Sequence, residues 1–206
     1  MSASSRHGPL CQSSGLPSGF RIEASTRRDL PAVNAVIEQA ILDWPLPATL
    51  KQLILPVLRY DHVDSDCLQI FVCWGGYQIV GVLALDYDDV EAEDQRRDVL
   101  LHGLYVEPRV QRHGLGQALI AFAECQSGMY ARDAIKLRAE RVACGFFERC
   151  GYAHRPPTTD TDYPYTYRKS GLIKRYEIQR RHEATAHRAV GSDFPEHPLC
   201  FREPYR

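Results

Sequence analysis

Apolar and polar residues alternate over Phe20 to Ser25, FRIEAS, as on a half-buried strand, and the spacing then becomes helical. Val33, Val36, Ile37, Ala40 and Ile41 recur three and four apart, the stripe with which an amphipathic helix covers a core. Thr26 with Asp29 three positions on resembles a capping box at its start, and Trp44, Pro45 and Pro47 break it. Leu50, Leu53, Ile54, Val57 and Leu58 repeat the pattern, predicting a second helix bent at Pro56. Two apolar runs, Leu68 to Trp74 and Gln78 to Asp86, flank Gly75 and Gly76 and predict a β-hairpin.

A polar, acid-rich connection follows between Asp86 and Asp98. Val99 to Val106 then reads as a strand stopped by Pro108, and Leu115, Ala118, Leu119, Phe122 and Ala123 mark one face of a helix running towards Tyr130. Ala134 to Ala139 predicts a short strand, and Val142 to Cys150 a helix capped by Gly151. Tyr163 to Lys169 alternates as an aromatic strand. Residues 1–19 are rich in Ser, Gly and Pro without apolar periodicity and read as a disordered leader. Residues 20–171 form the expected domain, and 172–206 a tail in which Lys174 to Arg188 predicts a basic, weakly amphipathic helix before proline-rich irregular chain.

The 206 residues suffice for one well-filled domain. A net charge of −1 gives no bulk attraction to nucleic acid or anionic membrane, so neither is an expected partner. No apolar run could span a bilayer, and the leader lacks the apolar core of a signal peptide, which predicts a cytoplasmic protein. Seven cysteines without a CxxC pair argue against a closed disulfide framework. The nearest approach to a metal cluster, Cys144, Cys150 and His154, straddles a predicted helix end, so no metal is expected.

The chemistry concentrates in LHGLYVEPRVQRHGLGQALIAF, from Leu101 to Phe122: strand, proline, glycine turn, helix. A helix start carries unpaired N–H groups and partial positive charge, which suits phosphate oxygens when no side chain blocks them. Gly114 and Gly116 remove such side chains, and Arg112 adds a cation. A P-loop would need Lys then Ser or Thr after these glycines, and a dinucleotide fingerprint a third glycine where Leu119 stands. VxPxxQxxGxG, from Val106, Pro108, Gln111, Gly114 and Gly116, instead resembles the acyl-CoA loop of the GNAT superfamily of N-acetyltransferases. Ala143, Phe146, Phe147, Gly151 and Tyr152 are similar to that family's AxxFYxxxGF helix, and the element order from Phe20 to Lys169 looks like its fold.

The resemblance implies an α+β fold: a central mixed, mostly antiparallel twisted sheet flanked by helices, with splayed central strands holding the cofactor. It implies acetyl-CoA as co-substrate, with backbone of Leu104, Tyr105 and Val106 pairing with the pantetheine arm as an added strand would. Gln111, Arg112, His113, Gly114, Leu115, Gly116 and Gln117 would cradle the pyrophosphate. Glu140 stands near the pantetheine where the family often has Asn. Phe147 stands by the thiol end where the family often has a Tyr general acid, so either activity survives without that acid or Tyr105, Tyr152 or water substitutes for it.

Strand alternation puts Leu100, His102, Leu104 and Val106 on one face, making His102 the candidate base, since imidazole titrates near neutrality. A hydrogen-bonded core histidine is the competing reading of His102. The expected activity is acetyl transfer to a primary amine of a small molecule or peptide, by direct attack in a ternary complex. The alternative is a catalytically weak or inactive acyl-CoA sensor, with Phe147 as the mark of lost catalysis. The acidic connection either steers a cationic amine or is simply solvated, and Tyr163, Tyr165 and Tyr167 either line the acceptor site or pack. Homodimers are common in the family, and no segment here marks an interface.

Overall fold

The computed structural model describes residues 15–87, 98–157 and 163–190. Among these residues seven strands form one mixed sheet, and its first strand is β1, Phe20–Ala24. The Asp29 carboxylate accepts the N–H and the hydroxyl of Thr26, each at 2.8 Å, starting a 3₁₀ turn that leads into α1, Leu30–Asp43. Val33, Val36, Ile37, Ala40 and Ile41 are all buried, as the periodicity predicts.

The second helix, α2, spans Ala48–Leu58 and keeps Pro56 inside it. Its apolar stripe is only partly used: Ile54, Leu55 and Leu58 turn inward, while Leu50, Leu53 and Val57 remain exposed. The reason is placement, because α2 packs chiefly on α1 and one neighbour covers only a narrow face. A short α3, Asp64–Cys67, precedes the hairpin of β2, Gln69–Gly75, and β3, Gln78–Asp86. At its turn Gly76 has φ +63°, a left-handed conformation that suits glycine.

The strand β4, Val99–Val106, pairs antiparallel with β3 along its length. Then come α4, Leu115–Met129, and β5, Ala134–Arg138, which lies parallel to β4. A 3₁₀ turn, Arg141–Ala143, leads to α5, Cys144–Arg149, followed by β6, Ala153–Arg155, and β7, Thr166–Ser170. The spatial order is β1-β2-β3-β4-β5-β7-β6. β6 carries no periodic signal because all three of its residues are exposed on an edge. The predicted aromatic strand starts later, at Thr166, so Tyr163 and Tyr165 precede it.

Two cores lie on opposite faces of the sheet. On one, α1 and α2 pack over Ile70, Val72, Val82, Ala84 and Tyr105; on the other, Leu115, Leu119, Phe122 and Ala123 of α4 pack over Phe71, Leu83, Leu85, Val99 and Leu101. Burial on both faces explains why β2 and β3 read as continuous apolar runs rather than alternating ones. After Gly171, α6 runs Leu172–Val190 and lies on α4. Leu172 is fully buried, and Gly128 lets the helices touch: a Cβ there would lie 2.8 Å from the Leu172 carbonyl oxygen. No helix among the described residues is long and apolar enough to cross a membrane. The acid-rich connection lies, but for its ends, outside the described residues.

Candidate active site

β4 and β5 pair only from Val99↔Ile135 to Leu101↔Leu137. β4 runs on to Val106 with its β3-facing side occupied, so the β5-facing backbone from Gly103 to Val106 has no strand partner among the described residues. This is an open wedge with one backbone edge available to an extended amide-bearing ligand.

The wedge ends in the glycine turn. Pro108–Val110 form a 3₁₀ turn, and the Gln111 side-chain amide then donates back to the Val106 carbonyl at 2.8 Å. Gln111 thus fastens the loop to the strand, and it occupies one acceptor that the sequence reading offers to pantetheine. Arg112, φ +63°, and Gly114, φ +83°, are both left-handed. Nothing lies within 4 Å of where a Cβ on Gly114 would stand. The first intrahelical bond is Ala118 N–H to Gly114 O, 3.0 Å, so the amides of Leu115, Gly116 and Gln117 precede the helical ladder. Arg112, His113 and Gln117 are exposed around this opening, with His113 Nδ1 2.8 Å from the Gln111 carbonyl oxygen. Leu115 is buried and offers only backbone.

The two glycines do different work. Gly114 meets a conformational demand, whereas Gly116 lies close under a side chain, since a Cβ there would meet the Phe146 ring at 3.3 Å and the ring would have to shift by a few tenths of an ångström. Phe146, which the sequence motif names without a role, therefore seats α5 against the start of α4. Phe147 is buried between Phe146 and Tyr152, ring centroids 5.2 Å and 5.9 Å away. Tyr152 is equally buried beside it, and burial holds its phenol well above the usual range.

His102 departs from simple alternation. β3 pairs Ala84 with Gly103 but Leu85 with Leu101, so His102 is the extra residue of a β-bulge. Val99 and Leu101 before it and Leu104 and Val106 after it therefore all reach the α4 core, while Tyr105 joins the α1 core. The predicted shared face of Leu100, His102, Leu104 and Val106 is thus broken at the bulge. His102 is exposed, with Nδ1 3.2 Å from the Tyr60 hydroxyl, so it is not a buried core histidine.

Tyr105 is buried, and burial together with the nearby Glu140 carboxylate raises its phenol pKa. Glu140 follows β5 across the wedge and accepts a hydrogen bond from Tyr163, 3.3 Å. The Tyr163 phenol is pushed up to about 12, by burial first and then by Glu140. Tyr167 is packed, its hydroxyl donating to Glu148 at 2.9 Å. Among the described residues no three His, Cys, Asp or Glu side chains gather as metal ligands would.

Sequence reasoning passed over Tyr60 and Asn34. The Asn34 side chain pairs with both backbone groups of Tyr60, at 2.8 and 2.9 Å. No periodicity signals a contact 42 residues apart, as between Tyr60 and His102.

A sheet split beside a left-handed glycine and a free helix N-terminus defines a GNAT-type acyltransferase fold. Residues 66–154 match the family model described as an acetyltransferase (GNAT) domain, and the fold is that of GNAT acetyltransferase structures. Similar solved structures include the PaiA N-acetyltransferase of Thermoplasma acidophilum in complex with coenzyme A, 13% identical, TM-score 0.58, covering 73% of this chain and 98% of that one. An N-acetyltransferase from Staphylococcus aureus is 14% identical, TM-score 0.51, with 74% and 99% covered. A GNAT family acetyltransferase from Brucella melitensis in complex with acetyl-CoA is 18% identical, TM-score 0.52, with 73% and 87% covered. At these identities the likeness is one of fold. No curated protein matches the sequence.

Proposed function

We propose that this protein transfers the acetyl group of acetyl-CoA to a primary amine of a small molecule or peptide, by direct attack in a ternary complex in the cytoplasm. One observation carries the reading: the unpaired edge of β4 runs straight into the open Gly114 turn. That continuity fits a ligand with amides at one end and a diphosphate at the other. The donor sets agree, with backbone along Leu104 to Val106 and amides of Leu115 to Gln117 beside Arg112 and His113.

Bound acetyl-CoA supplies an electrophilic thioester carbonyl and a thiolate leaving group. His102, exposed on the bulge, takes the proton of the attacking amine directly or through water. A β4 amide at the unpaired edge polarises the carbonyl oxygen. Phe147 has no proton to give, and the raised pKa of Tyr105 makes it a poor acid. A thiol of ordinary pKa near ~8.5 still leaves as thiolate, so the missing acid costs at most the roughly 10²- to 10⁴-fold of general acid catalysis. The sensor alternative draws no support from the site.

Thiol release over a panel of primary amines tests the reading, beside the thermal shift with acetyl-CoA. Saturating acetyl-CoA should raise the melting temperature, and at least one amine should accelerate thiol release above hydrolysis. His102→Gln should lower turnover about 10²- to 10⁴-fold and leave acetyl-CoA affinity unchanged. Tight acetyl-CoA binding with no amine-dependent release would refute transfer.

A further inference from the structure

We propose that Tyr60 is a positioning residue for His102: its phenolic oxygen accepts the Nδ1–H of the imidazole and so leaves the Nε2 lone pair open to take a proton from the amine. The proposal rests on His102 being the base.

Tyr60 lies two residues beyond α2, outside any helix or strand, yet it is rigidly held. Asn34 on α1 replaces the missing backbone partners, donating to the Tyr60 carbonyl and accepting its N–H. The ring is buried in the α1-side core, 4% exposed, and its oxygen reaches the β4 bulge. There it stands 3.2 Å from His102 Nδ1, with the two rings 5.6 Å apart. It also rests on the next residue, because a Cβ on Gly103 would fall 2.2 Å from it. The bulge brings both positions to the hydroxyl, and it lies where β4 and β5 part, one residue beyond the last pair at Leu101.

The direction of the hydrogen bond follows from the proton that His102 must accept. An imidazolium carries N–H at both nitrogens, so a partner at Nδ1 must be an acceptor once Nε2 is protonated. A phenol donating to Nδ1 would have to turn away at that moment. A phenol accepting from Nδ1 keeps its bond, which strengthens as the ring becomes charged. Burial, Tyr105 and Asp64 hold the Tyr60 phenol neutral, so its oxygen serves as an uncharged acceptor throughout. The titratable groups facing it are Tyr105 from β4 and Asp64 from α3, and Glu140 faces Tyr105 from the end of β5.

Tyr60→Phe removes the oxygen and keeps the ring. Turnover should fall about tenfold with KM for acetyl-CoA unchanged, because the imidazole loses the partner that fixes its tautomer. Unchanged turnover, or a KM for acetyl-CoA that rises in step with the loss, overturns the proposal. Nitrogen-15 chemical shifts of His102 in the wild-type protein give a second reading, independent of whether the variant folds. A protonated Nδ1 in the neutral ring is expected, and a protonated Nε2 overturns the assignment. If no amine supports thiol release, acetyl transfer fails as a reading, while the tautomer still decides the Tyr60 contact.

Discussion

Gly103→Ala tests whether the sheet and the α1 layer meet as closely as the structure states. The added Cβ would stand 2.2 Å from the Tyr60 hydroxyl oxygen and 2.8 Å from Tyr105 Cε2, inside contact distance for both. Neither ring can retreat freely, since both are buried and the Tyr60 backbone is clamped by Asn34. Overpacking by one methyl in such a core costs about 1–3 kcal/mol. Displacing the hydroxyl from His102 adds the net worth of a hydrogen bond, about 0.5–1.5 kcal/mol. The sum, about 1.5–4.5 kcal/mol, corresponds to a drop of about 3–18 °C in melting temperature for a chain of this size. In the Y60F background the closest remaining Tyr60 atom is Cζ at 3.4 Å, an ordinary contact, so the same substitution should cost less. The double-mutant cycle should give a coupling of about 0.5–3 kcal/mol. A melting temperature for Gly103→Ala within about 2 °C of wild type, or an equal cost in both backgrounds, would refute this packing.

Gly114→Ala places a side chain at φ +83° in open space, so pure backbone strain of about 1–2 kcal/mol should appear in thermal unfolding. The same methyl over the helix N-terminus should weaken acetyl-CoA about tenfold in a calorimetric titration. Gly128→Ala drives a Cβ to 2.8 Å from both the Leu172 carbonyl oxygen and Tyr176 Cβ, so α6 should lose hydrogen-exchange protection and stability should fall by about 1–3 kcal/mol. Burial keeps Tyr60, Tyr105 and Tyr152 protonated in the folded chain and pushes the Cys73 thiol up to about 12. In the unfolded chain the thiol ionises near ~8.5 and the phenols near ~10, so this stability is complete below ~8.5 and declines as pH rises further, at up to ~1.4 kcal/mol per pH unit per group. Tyrosinate absorbance should therefore appear for these residues together with unfolding rather than as a separate step near pH ~10.

Much of the architecture could be read locally. The stripe from Val33 to Ile41, the paired apolar runs around Gly75 and Gly76, and the strand before Pro108 each follow from periodicity and turn chemistry. The glycine turn was legible too, because a left-handed helix start needs Gly114 whatever surrounds it. β6 was not, since three exposed residues on an edge leave no apolar pattern. Nor was the exposure of Leu50, Leu53 and Val57, because periodicity shows that a helix has an apolar face without showing how much of it a neighbour covers.

By itself, the sequence determined the order of the main elements other than β6 and the short α3, the loop from Val106 to Gly116 and the absence of a hydroxyl at Phe147. The tertiary structure alone decided where β4 leaves β5, that Gly116 lies under the Phe146 ring, and which way His102 faces. The physical reason is that each depends on a partner far along the chain. A bulge exists only relative to the strand opposite it, and the Tyr60 oxygen reaches His102 only once α1 has fixed the intervening chain. Local patterns specify which residues can form a strand or a turn, and long-range packing specifies what their side chains touch.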